Sequence, residues 1–111
     1  FDSHQASAPG DEQLYVALPG VAPVNLASTN VNFSATSGAS DADATCTGNS
    51  QVPTAPPGKV CVYVQTFNGF PMNTAHADAD VFPTRGFTMR ILPAAGTGDL
   101  YLIVTWAYTA P

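Results

Sequence analysis

Leu100-Tyr101-Leu102-Ile103-Val104-Thr105-Trp106-Ala107-Tyr108, close to the end of the chain, is rich in the β-branched and aromatic residues that suit a pleated strand. A period of two places Leu100, Leu102, Val104, Trp106 and Tyr108 on one face and Tyr101, Ile103, Thr105 and Ala107 on the other. A half-buried strand is polar at every second position, whereas this one asks for cover on both faces. In a chain of 111 residues the simplest source of the second cover is another subunit. The stretch therefore predicts an assembling β module, with Tyr101, Ile103, Trp106 and Tyr108 as candidate interface residues.

Ten prolines and nine glycines leave no helical periodicity of useful length. Residues 86–92 read as a strand joined to 99–108 in a C-terminal hairpin through Pro93-Ala94-Ala95-Gly96-Thr97-Gly98. Residues 59–67 form a strong strand with Val60, Val62 and Val64 on one side and Cys61, Tyr63 and Gln65 on the other, followed by an Asn68-Gly69 turn. Residues 31–36 alternate apolar and polar. Residues 21–27 read as an extended piece whose Pro23 suits an edge, and 13–18 as a first strand stopped by Pro19-Gly20. Between them lie two long loops, 37–58 and 71–84. Residues 1–11 read as an arm or linker and 12–111 as one domain. The expectation is an all-β fold: an antiparallel β-sandwich, jelly-roll-like, with long Pro/Gly-rich loops.

Apolar residues make up 45% of the chain, enough for a core, while charged residues are only 10% against roughly 25% in ordinary soluble domains. Three basic residues (Lys59, Arg85, Arg90) against eight acidic ones give a net charge of −5, the wrong balance for nucleic acid or for adhesion to an anionic membrane. No apolar run is long enough to insert into a bilayer. Phe1 reads as a processed start.

Cys46 and Cys61 flank a loop carrying Pro53, Pro56, Pro57, Gly48 and Gly58, a pattern that predicts a disulfide and an oxidising compartment. Asp41-Ala42-Asp43 and His76-Ala77-Asp78-Ala79-Asp80 place carboxylates on one side of extended segments. Asp41, Asp43, Asp78 and Asp80 are thus candidate Ca²⁺ ligands, although the EF-hand offsets are missing and loop-capping Asp residues have the same look. Otherwise no cofactor is expected. No serine sits in a Gly-x-Ser-x-Gly elbow, the histidines are His4 and His76 alone, and Glu12 is the one glutamate, so no enzyme is expected. Trp106 and the tyrosines could stack on sugar rings, but Trp106 lies in the most apolar strand, where burial is the expectation; Phe67, Phe70 and Phe82 are better placed for exposed contact. Asn32-Phe33-Ser34 matches a glycosylation sequon inside an expected strand.

Ser40-Asp41-Ala42-Asp43-Ala44-Thr45-Cys46-Thr47-Gly48, Pro53-Thr54-Ala55-Pro56-Pro57-Gly58-Lys59-Val60-Cys61-Val62-Tyr63 and Thr105-Trp106-Ala107-Tyr108-Thr109-Ala110-Pro111 together resemble the C-terminal head domains of actinobacterial surface proteins, many with collagen-like Gly-X-Y stalks upstream. The resemblance covers residues 31–111 and implies a secreted head that caps a stalk. Heads of the C1q and tumour-necrosis-factor type are, by analogy of fold, trimeric jelly rolls with terminal strands near the trimer axis. The functional expectation is a non-enzymatic structural module at the cell surface, a homotrimer capping a fibre. Two alternatives stand beside it: a filament, pilus or virion subunit using the 1–11 arm for strand addition, and a calcium-dependent adhesin for a glycan or other surface ligand.

Overall fold

The computed structural model describes residues 2–4, 12–94 and 99–111. Among them are seven strands: β1 (Asp2–His4), β2 (Glu12–Ala17), β3 (Val31–Phe33), β4 (Lys59–Asn68), β5 (His76–Ala79), β6 (Gly86–Ile91) and β7 (Asp99–Thr109). Single 3-10 turns lie at Ser28–Asn30 and Met72–Thr74. The strands form two sheets, β1-β7-β4-β3 and β2-β6-β5, packed as a β-sandwich. Every pairing is antiparallel except β3 with β4.

Alternation explains the core. Val60, Val62 and Val64 of β4 stand beside Tyr108, Trp106 and Val104 of β7, and these inward residues meet Phe87, Met89 and Ile91 of β6 from the other sheet. Phe87 and Trp106 pack edge to face across the gap, with centroids 5.4 Å apart. Ala77 and Ala79 of β5 and Leu14 and Val16 of β2 flank β6 on the same inner face.

Three expectations are corrected here. Strands β6 and β7 are not a hairpin: β6 pairs with β2 and β5, and β7 with β1 and β4. Each carries an apolar inner face, and facing each other across the sandwich buries both faces, whereas the long Pro93-initiated connection lacks the two-residue turn that would hold them edge to edge. Residues 21–27 are not a strand either. Ala22 and Leu26 donate backbone hydrogen bonds to Thr84 and Pro83 (2.7 and 2.9 Å), which ties the segment to the 82–85 turn without a ladder. Conversely, the expected 71–84 loop contains β5.

Of the 1–11 arm, Asp2–His4 pairs with Tyr101–Asp99 at the sheet edge; residues 1 and 5–11 lie outside the described residues.

Candidate functional site

Over much of its length the second face of β7 is covered by the chain itself. The predicted disulfide Cys46–Cys61 is present, with Cα atoms 5.5 Å apart, and it draws the following loop over the outer face of β4 and β7. Beneath the loop Tyr63 is 2% exposed; its hydroxyl donates to the Thr54 carbonyl at 2.6 Å and accepts from Gly48 N–H at 3.0 Å. Thr105 and Thr109 donate from their hydroxyls to the carbonyls of Ser50 (2.9 Å) and Ala55 (2.8 Å). Gly48 is required where it stands, because a Cβ would lie 2.6 Å from the Val52 carbonyl oxygen. The cover ends before Ile103, which remains 47% exposed at the middle of the strand.

The four candidate interface residues therefore divide. Tyr101 and Ile103 share the outer face, whereas Trp106 and Tyr108 pack against the core from the inner one. The Tyr108 hydroxyl is buried without a hydrogen-bond partner among the described residues, and its residue borders a mostly apolar cavity of about 220 Å³ formed with residues 18–22. Phe70 is buried, Phe67 stacks obliquely against it at 5.4 Å, and Phe82 is exposed.

The four candidate calcium ligands also part company. Asp43 lies beside the disulfide loop, where its carboxylate accepts from Lys59 Nζ and from the backbone N–H (2.7 Å) and hydroxyl (2.6 Å) of Thr45. Those bonds hold its pKa down at about 2, Lys59 contributing most. Asp80 caps a turn by accepting from Phe82 N–H at 3.2 Å. Asp41 and Asp78, by contrast, come together. No group of three or more His, Cys, Asp or Glu suited to a metal ion occurs among the described residues.

Asp41 and Asp78 border an open pocket of about 460 Å³ at the seam of the sandwich, where the β3 edge of one sheet approaches the β5 edge of the other. Its wall also contains Ser28, Thr29, Asn32, Ser40 and His76. The loop after β3 builds it. Ser40 bonds the Ala75 carbonyl through both its N–H and its hydroxyl (2.9 Å each), and Asp41 Oδ2 accepts from Ala77 N–H at 3.1 Å, closing the edge of β5. Asp78 Oδ2 lies 3.0 Å from Arg90 Nη2 and 3.1 Å from His76 Nε2. Burial raises the Asp41 pKa above its ordinary value, against the pull of the backbone N–H groups of Ala77 and of Asp41 itself. Two oxygens here, Asp41 Oδ1 and Asn32 Oδ1, are buried without a hydrogen-bond partner among the described residues.

Asn32 was legible only as part of a sequon. In the fold it is 9% exposed and its Nδ2 donates to the Asp41 carbonyl at 3.2 Å, which removes it from glycosylation in the folded state. No periodicity signals its role, because it stands on a three-residue strand buried at every position. Among the described residues no helix is long and apolar enough to cross a membrane. No family model matches the chain, and no curated protein or solved structure matches it significantly.

Proposed function

We propose that this domain is a non-enzymatic structural module of the cell exterior, a head that self-associates as a homotrimer and caps a fibrous, collagen-like surface protein. The observation that carries the reading is Ile103: a large aliphatic side chain left 47% exposed at mid-strand, on a face whose other half the disulfide loop covers. Tyr101 stands on the same outer face and is half-buried. Apolar burial there supplies the association energy, at roughly 25 cal/mol per Å². The disulfide fits the oxidising exterior.

Light scattering after size exclusion tests the reading. The wild-type chain should elute as one closed species of three subunits, and Ile103→Lys should dissociate it without loss of fold. A wild-type monomer sinks the proposal; open-ended, polydisperse species transfer it to the filament, pilus or virion subunit. A second reading, a binding module for a surface ligand, is favoured by the open seam pocket bordered by Asp41, His76 and Asp78.

A further inference from the structure

We propose that the cleft beyond the end of β3 binds a neutral sugar ring, its hydroxyls held by Ser34, Thr36, Gln65 and Thr66 and its apolar face laid on Phe67. The site is separate from the seam pocket, and it depends on neither the assembly reading nor calcium. It begins with a gap in the sheet. β3 pairs with β4 only as far as Phe33, beside Val62, and Ser34 N–H adds one last bond to the Val62 carbonyl at 2.8 Å. The chain then turns away: Ser37 donates to the Ser34 carbonyl from its N–H (3.1 Å) and from its hydroxyl (2.8 Å). β4 runs on to Asn68 with no strand on that side among the described residues. The result is a cleft of about 370 Å³, with the turn as one wall and residues 64–67 as the other.

Its chemistry is polar, open and uncharged. Ser34 is only 5% exposed, yet its hydroxyl has no hydrogen-bond partner among the described residues and, unlike Asn32 Oδ1, is not sealed from solvent. A buried serine is normally bonded, and the cleft is where a partner can reach this one. The exposed side chains of Thr36, Gln65 and Thr66 are equally uncommitted among the described residues. Hydroxyls and a carboxamide both donate and accept, as a ring of sugar hydroxyls requires. Phe67 is 43% exposed, and the buried Phe70 braces it with ring centroids 5.4 Å apart. Its electron-rich face suits the C–H face of a pyranose. Other ligands fit worse. Among the described residues the wall holds no charged or imidazole side chain, so it has no charge to offer a metal ion, a phosphate, a carboxylate or an ammonium. An added peptide strand would need evenly spaced N–H and C=O groups along β4, and the register shift between Val64 and Thr66 breaks that spacing.

Titrating the full chain, ¹⁵N-labelled, with the methyl glycosides of glucose, galactose, mannose and N-acetylglucosamine tests the site. At least one should shift the Gln65 side-chain amide and the Thr66 N–H together and saturably, with the same midpoint in EDTA. Sorbitol, which has the hydroxyls but no ring face, should bind about tenfold more weakly or worse. Phe67→Ala and Gln65→Ala should each weaken the best glycoside about tenfold, and Asp78→Asn, in the seam pocket, should leave it unchanged. Gln65 is exposed and makes no side-chain bond among the described residues, so its substitution leaves the fold and the subunit count as they were. Failure of the sugar site and failure of assembly are therefore read separately. Equal binding of sorbitol, full binding by Gln65→Ala, tighter binding of the extended peptide acetyl-Thr-Val-Thr-Val-amide at the same signals, or no saturable shift up to about 50 mM each overturns the proposal.

Discussion

Lys59 is the cation that decides the state of Asp43. A carboxylate whose folded pKa is held at about 2, below its ordinary 3.8, contributes stability that is complete above about pH 4 and is lost as the pH falls toward 2. Lys59→Met should therefore cost about 0.5–1 kcal/mol at neutral pH, the scale of a partly exposed pair, and its urea midpoint should converge on the wild type near pH 2. Asp41 has the opposite sign. Its pKa is raised by burial, so the ionised carboxylate opposes folding at neutral pH and the opposition fades as the pH falls through its folded pKa. Asp41→Asn should stabilise the domain at pH 7 by up to about 1 kcal/mol, with the gain shrinking toward pH 4 in thermal melts. Gly86 is a packing position: a Cβ there would fall 2.4 Å from the Val16 carbonyl oxygen and 2.5 Å from the Tyr15 ring. The obstacle includes backbone of a paired strand, so Gly86→Ala should cost about 2–3 kcal/mol by chemical denaturation.

The disulfide loop is the element that changes the meaning of the last strand. Alternation in β7 was legible from sequence, and so was the need for cover on both faces. What covers the second face was not, because the anchoring bonds run from Thr105 and Thr109 hydroxyls to loop carbonyls distant in sequence, and carbonyls carry no sequence signature. Strand β5 was hidden for a related reason: its inward residues are the small Ala77 and Ala79, and its outward ones, His76 and Asp78, look like loop decoration. The seam pocket is built on that hidden strand and on the bonds from the loop after β3, so only its Asp residues could be named in advance as ligands. The Asp41–Asp78 pairing came from two loops of the sequence, while Asp43 and Asp80, equally plausible by spacing, were drawn off to Lys59 and to a turn. Opening the cross-link tests the loop's role. Cys46→Ser with Cys61→Ser should lower stability by about 3 kcal/mol, as expected for a closed loop of this length, and should make the Tyr63 ring accessible to solvent perturbation of its absorbance. An unchanged Tyr63 environment would show that the hydroxyl bonds to Thr54 and Gly48 hold the loop alone.

At the scale of the molecule, the sandwich satisfies its own core and leaves only localised reasons to associate. Trp106 is spent on Phe87 across the sheets, so Trp106→Ala should destabilise by about 3–4 kcal/mol and leave the subunit count of any folded fraction unchanged. Ile103 stands outside that core, and its substitution should do the reverse. Long-range charge acts against association: every copy brings a net charge of −5, and three Lys and Arg residues offer little to offset it. If apolar burial around Ile103 joins the subunits, added salt should strengthen the assembly by screening like charges over about 10 Å at 0.1 M, where an interface made of ion pairs would weaken. Sedimentation at 20 mM and 500 mM NaCl (roughly 20 Å and 4 Å of screening length) reads the difference directly. A dissociation constant that falls with salt in the wild type, and is lost at both concentrations in Ile103→Lys, would tie assembly to that residue; one that rises with salt would place the contact on charged surface instead.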